Sequence, residues 1–230
     1  MSWIEKINDK FRVKIREKIV NPIMGGIRTS KLEDPKFTII SNNCWGGHVY
    51  RYFGLPYESP TVGLYFYTDE YIKFLSRLKD YIKMDLKFIP TNQSKYYEEL
   101  INRNETNKII GTLGDVEIVF LHYKTQAEVL EKWKRRCARI HWNHLIVKMT
   151  EQNKCSLCAL QTFDDLPFEQ KMVFTSNDYA LRSQVIFGDY LGKEEISNDT
   201  LHFRKYVDLI KLINRNSDFR RNQPPYIGEI

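Results

Sequence analysis

Residues 144–175 constrain the fold more than any other stretch of this chain. The apolar, branched run HLIVKM over 144–149 predicts a strand, and 155–163 predicts a helix that Asp164, Asp165 and Pro167 end. The run KMVFT over 171–175 predicts a second strand. Two strands joined by a helix within about thirty residues form a βαβ unit, so they lie parallel in one sheet. Parallel strands are covered on both faces, which commits the chain to an α/β architecture.

The rest of the chain extends this pattern. Strands are expected at 37–40, 61–67, 86–89 and 183–187, and 108–111 with 116–122 predicts a hairpin around Leu113-Gly114-Asp115. Helices are expected at 48–53, at 68–82 with Thr68 or Asp69 as cap, at 126–140 and at 199–213. At the start, Trp3, Ile7, Phe11, Ile15 and Ile19 recur every fourth residue beside a row of Lys6, Lys10, Lys14 and Lys18. That predicts an amphipathic helix which either docks on the protein or rests on anionic lipid. Asn21-Pro22 should end it, with Gly25-Gly26 opening a connector. The expected organisation is therefore an N-terminal helix and connector over 1–30, a single α/β domain with a mixed sheet over 31–215, and a loose tail over 216–230 containing Pro224-Pro225. Any division into two lobes falls near 90–107, where asparagines concentrate.

Charge and cysteine usage narrow the class. The chain has 230 residues, 42% hydrophobic and 28% charged, enough apolar material to build a core. A formal charge of +6 favours anionic partners, but the cations spread over ordinary helical faces and no nucleic-acid-reading motif is present, so a nucleic-acid partner is not expected. Four cysteines without an N-terminal apolar signal region suggest reduced thiols and a cytoplasmic location. No run reaches the roughly 18 apolar residues of a membrane span, which leaves only peripheral membrane contact open.

The residues that suggest chemistry sit where the first strand of the domain breaks into a polar turn, Asn42-Asn43-Cys44-Trp45-Gly46-Gly47-His48, followed by Arg51, Tyr57 and Ser59. Asn42 and Asn43 offer both donors and acceptors to a hydroxyl-rich ligand, or cap the next helix. Gly46 and Gly47 expose amides to an anion, or simply make a turn. Trp45 and Tyr57 can stack on a sugar, with Arg51 meeting a phosphate or carboxylate. Cys44, at a strand-to-helix junction, is a candidate nucleophile, with His48, His122, His141 or His144 as its base. His48 is the nearest of these in sequence. The substrate-side set is thus Asn42, Asn43, Trp45, Gly46, Gly47, Arg51, Tyr57 and Ser59, and the catalytic pair is Cys44 and His48.

The run Asn42 to Gly47, then Tyr50, Phe53-Gly54-Leu55, Tyr57, Ser59-Pro60-Thr61 and Gly63-Leu64, with Phe163, Leu166-Pro167, Lys171 and Val173-Phe174 later, resembles an uncharacterised bacterial family encountered in capsule and exopolysaccharide gene clusters. The resemblance implies an α/β fold and a role in surface-polysaccharide assembly. It supplies no catalytic residues.

Two further chemistries fit less well. Cys137, His141, His144, Cys155 and Cys158 include zinc-ligating types, yet Cys155 and Cys158 fall within a helix rather than a tight knuckle, so no metal site is expected. No Asp-x-Asp motif is present, while Asp115, Asp178 and Asp189 are candidate bases by position alone. The expected function is a metal-independent sugar or substituent transferase acting on a nucleotide-sugar or polysaccharide precursor. The alternatives are a Cys44-dependent acyltransferase or hydrolase and a non-catalytic scaffold. Nothing in the sequence names a cofactor or an oligomeric state.

Overall fold

The structure, a computed structural model, describes residue 15 and residues 19–223. Most of the basic helix expected before residue 20, and Pro224-Pro225, lie outside the described residues. Among the described residues, the strands and α-helices are α1 (Asn21–Thr29), β1 (Thr38–Ser41), α2 (Trp45–Phe53), β2 (Leu64–Tyr65), α3 (Thr68–Ser76), α4 (Leu78–Tyr81), β3 (Lys87–Ile89), α5 (Tyr97–Asn102), β4 (Ile109–Leu113), β5 (Val116–Phe120), α6 (Gln126–Cys137), β6 (Leu145–Thr150), α7 (Leu157–Asp165), β7 (Lys171–Thr175), β8 (Gln184–Ile186), α8 (Phe203–Tyr206) and α9 (Leu209–Ile213).

The expected α/β fold with a parallel βαβ unit is present, with its strands divided between two sheets. β1, β6, β7 and β8 form an all-parallel sheet in that order, and β2, β5, β4 and β3 form an antiparallel one. The βαβ unit is β6-α7-β7, paired in register from Val147–Lys171 to Thr150–Phe174. Alternation along the parallel strands splits the core. Ile39, Ile146, Met172 and Val185 join Trp45, Val49, Phe203 and Tyr206 on one face. Ile40, Val147, Met149 and Val173 join Tyr71, Phe74, Leu160 and the antiparallel sheet's Leu64, Ile118 and Phe120 on the other. One apolar cluster therefore spans both sheets.

Several elements depart from expectation. Residues 61–67 pair as a strand only at Leu64 and Tyr65; Gly63, at a φ of +83°, turns the chain just before them while its carbonyl still accepts from the Leu121 and His122 amides. The helix expected over 199–213 is two short ones. Val207 is extended, and the Asp208 carboxylate accepts from the Ile210 and Lys211 amides at 3.1 and 3.2 Å, starting α9 afresh. Gly25-Gly26 is the middle of α1 rather than a connector: a Cβ on Gly25 would stand 3.0 Å from the Phe53 carbonyl oxygen and 3.1 Å from Gly54, so the glycine lets α1 lie directly on the end of α2. In the 216–223 segment, Arg221 donates from its amide to the Tyr206 carbonyl, and the Gln223 side chain accepts from the Ile186 amide at 2.7 Å.

Candidate functional site

The polar turn after β1 sits at the carboxyl end of the parallel sheet, where open α/β sheets place their ligands. Its first residues serve the sheet. Asn42 donates to the Thr150 carbonyl and accepts from the Thr150 amide, both at 3.0 Å, so its side chain adds a rung between β1 and β6. Asn43 Oδ1 accepts from the Trp45 amide at 3.1 Å, which starts α2. Trp45 is fully buried, with edge contacts to Phe174 and Phe203. A Cβ on Gly46 would crowd Ile39 at 3.2 Å and one on Gly47 would crowd Val62 at 3.0 Å, so both glycines let α2 seat against its neighbours. Ser59 is buried and shares a hydrogen bond with Thr61.

Behind Asn43 lies an ion pair that sequence reasoning missed. Lys148 and Asp199 are almost completely buried and bonded to each other. Lys148 also bonds to the Thr150 hydroxyl, and Asp199 accepts from Thr150 and, at 2.8 Å, from Asn43 Nδ2. The Lys148 ammonium stands over the Phe174 ring at 4.7 Å and the Trp45 ring at 5.5 Å. Burial lowers the lysine's pKa despite the attraction of Asp199. Burial would raise that of Asp199, but the Lys148 charge and the hydrogen bonds from Lys148, Thr150 and Asn43 bring it below the ordinary carboxylate value. A charge at position 148, midway through an apolar strand, was the signal available in the sequence; Asp199 had none.

The half-open face of α2 carries the chemistry that remains. Cys44, His48 and Arg51 follow one another at spacings of four and three, hence on one side of the helix, and each is partly exposed while Trp45, Gly46, Gly47, Val49 and Tyr50 are buried. Arg51 Nη2 lies 3.1 Å from His48 Nδ1. His122 and Tyr123, just after β5, come near enough for charge to act between them and this side of α2. Although His122 is exposed overall, partial burial of its ring lowers its pKa, and the charges of Lys108, Arg51 and His48 lower it further, which favours the neutral ring at pH 7. Tyr123 donates to the Val62 carbonyl at 2.5 Å and accepts from buried Arg136 at 2.7 Å. The Arg136 guanidinium covers the half-buried Tyr57 ring at 5.1 Å. Arg136 extends the buried stripe of Val129 and Trp133 on α6, so a cation at an apolar position again marked it in the sequence.

Burial raises the Cys44 thiol to about 11, with the Asp199 charge adding to the effect, and its Sγ lies 3.7 Å from the Leu64 carbonyl as a donor. The remaining sequence candidates lie elsewhere. His144 is buried against the Ile213 carbonyl at 2.9 Å, and His141 is 3.6 Å from Glu58. Asp115 is bonded to Tyr81, Asp178 to Gln184, and Asp189 to Lys205 and His202. Among the described residues, no group of three His, Cys, Asp or Glu side chains is arranged to hold a metal ion. No described helix is long and apolar enough to cross a membrane.

An "Uncharacterized protein" of Haemophilus influenzae is similar to this chain, 30% identical over 183 residues that make up 77% of this chain and 82% of that protein. The "Domain of unknown function (DUF1919)" matches residues 15–215, which takes in the whole α/β unit, the buried Lys148–Asp199 pair and the α2 face. The chain belongs to the DUF1919 family.

Proposed function

We propose that the protein is a transferase of surface-polysaccharide assembly, moving a sugar or other substituent without a metal, and that the surface between α2 and the end of β5 is its substrate site. The observation that carries this reading is that Cys44, His48 and Arg51 share one partly exposed side of α2, with His122 near enough for the charges of Arg51 and His48 to act on it. A neutral imidazole at His122 can accept the proton of an attacking hydroxyl, and Arg51 can neutralise a phosphate leaving group. Tyr57 supplies an aromatic wall for a sugar ring. The polysaccharide setting comes from the sequence resemblance over residues 42–64 and 163–174.

Cys44 forms part of the wall in this reading. With its thiol near 11, about one molecule in ten thousand carries a thiolate at pH 7, which disfavours the acyltransferase alternative. The test is complementation of a strain that lacks the gene, scored by polysaccharide yield and composition. Arg51→Ala and His122→Asn, each shown by circular dichroism to be folded, should abolish production, and Cys44→Ser should retain it. Full production from both Arg51→Ala and His122→Asn, or loss with Cys44→Ser alone, would overturn the assignment.

A further inference from the structure

At the opposite end of the parallel sheet, where the chain enters β6, β7 and β8, a cavity of about 850 Å³ opens between those strand starts, α4 and residues 215–220. β6 has six residues and so spans about 20 Å, which separates this cavity from the α2 face at the other end of the sheet. Six cationic side chains line it: Arg77, Lys79, Lys171, Arg182, Arg215 and Arg220. The lining carboxylates are two, Asp80 and Glu169.

The partners of those cations make the excess sharper. Arg77 is 3.3 Å from Asp80, and Arg182 reaches Asp164 and Asp165 at 3.3 and 3.0 Å. The other four bond to or lie over neutral groups, with the Asp164 carboxylate acting on Lys171 and Arg220 only through space. Lys171 donates to the Asp164 and Leu166 carbonyls, Arg215 to the Asn143 carbonyl, and Arg220 to the Arg182 carbonyl at 2.7 Å. Lys79 lies over the Trp142 ring at 5.7 Å. In addition, Arg220 Nε is buried and has no hydrogen-bond partner. A buried donor left unmatched is destabilising, so the site, beside its excess of cations, is short of an acceptor. Trp142 is 39% exposed at the cavity wall and offers a flat apolar face.

We propose that this cavity binds a ligand of the nucleoside-diphosphate class, its phosphates on Arg215, Arg220 and Lys171 and its ring against Trp142. Guanidinium forks match phosphate oxygens in pairs, and the cavity volume is that of a small-ligand site. The inference is independent of the site proposed on α2, because the two share no residue.

Calorimetric titration of the full chain with ADP, UDP and sodium pyrophosphate tests it. At least one nucleotide should bind, more tightly than pyrophosphate, and Arg215→Gln or Arg220→Gln should each weaken it by about tenfold or more. Trp142→Ala should weaken the nucleotide and leave pyrophosphate unchanged. Arg135→Gln, which removes one charge on the exposed face of α6, controls for net charge. If Arg220→Gln does not fold, Arg215→Gln and Lys79→Gln carry the same comparison. Absence of binding at millimolar ligand, equal weakening by Arg135→Gln, or a nucleotide affinity indifferent to Trp142→Ala would overturn the assignment.

Discussion

Lys148 shows how much one residue can decide. It occupies a slot on the face of β6 that Ile146 also lines, and its charge is tolerated because Asp199, Thr150 and Asn43 surround it. A buried pair deprived of one partner leaves an uncompensated charge, so Asp199→Asn should destabilise the fold by about 3–5 kcal/mol. The double replacement Lys148→Met with Asp199→Leu removes both charges and should cost much less. Urea unfolding of the three proteins checks the order; a double variant as unstable as Asp199→Asn would show that packing rather than charge is at stake. Cys44 makes a second prediction at this scale. Burial holds its thiol protonated, so at pH 7.5 it should alkylate far more slowly than a free model thiol, and mass spectrometry after iodoacetamide treatment will read the rate.

Among the elements, α1 offers two adjacent glycines with opposite expectations. Gly25→Ala drives a methyl group into the backbone of Phe53 and Gly54, which cannot rotate away, and should destabilise by about 1–3 kcal/mol. The Gly26 position faces open space within the same helix, so Gly26→Ala should stabilise by about 0.5–1 kcal/mol. Thermal melts with a shift of the same sign for both would refute the close packing of α1 on α2. The same contact explains why the sequence misleads here: Gly-Gly is a loop signal locally, and only the neighbouring helix makes it a requirement of packing. By contrast, KMVFT at Lys171–Thr175 forms the strand its pattern predicts, because a strand buried on both faces needs only apolar, branched side chains.

For the whole molecule, acid stability should depend on His144. Burial lowers its pKa below 6.5, and the hydrogen bond to Ile213 and the Asp34 carboxylate 3.9 Å away only partly oppose this. The unfolded chain therefore takes up this proton first as pH falls. Its contribution to stability is complete above about pH 6.5 and is lost as pH drops through 6.5 toward the lower folded value. The melting temperature should fall between pH 7 and 5, and His144→Gln should flatten that fall; an unchanged slope would rule His144 out as its source. By itself the sequence determined the α/β class, the βαβ unit and the β4–β5 hairpin, because each depends on local periodicity or turn chemistry. Only the tertiary structure decided that the strands divide into two sheets, that Asp199 meets Lys148 across 51 residues, that the helix after β1 starts at Trp45 and so takes Cys44 onto the side of His48 and Arg51, and that cations from distant segments ring one cavity. Those outcomes depend on burial and on charges brought together through space, which spacing along the chain does not encode.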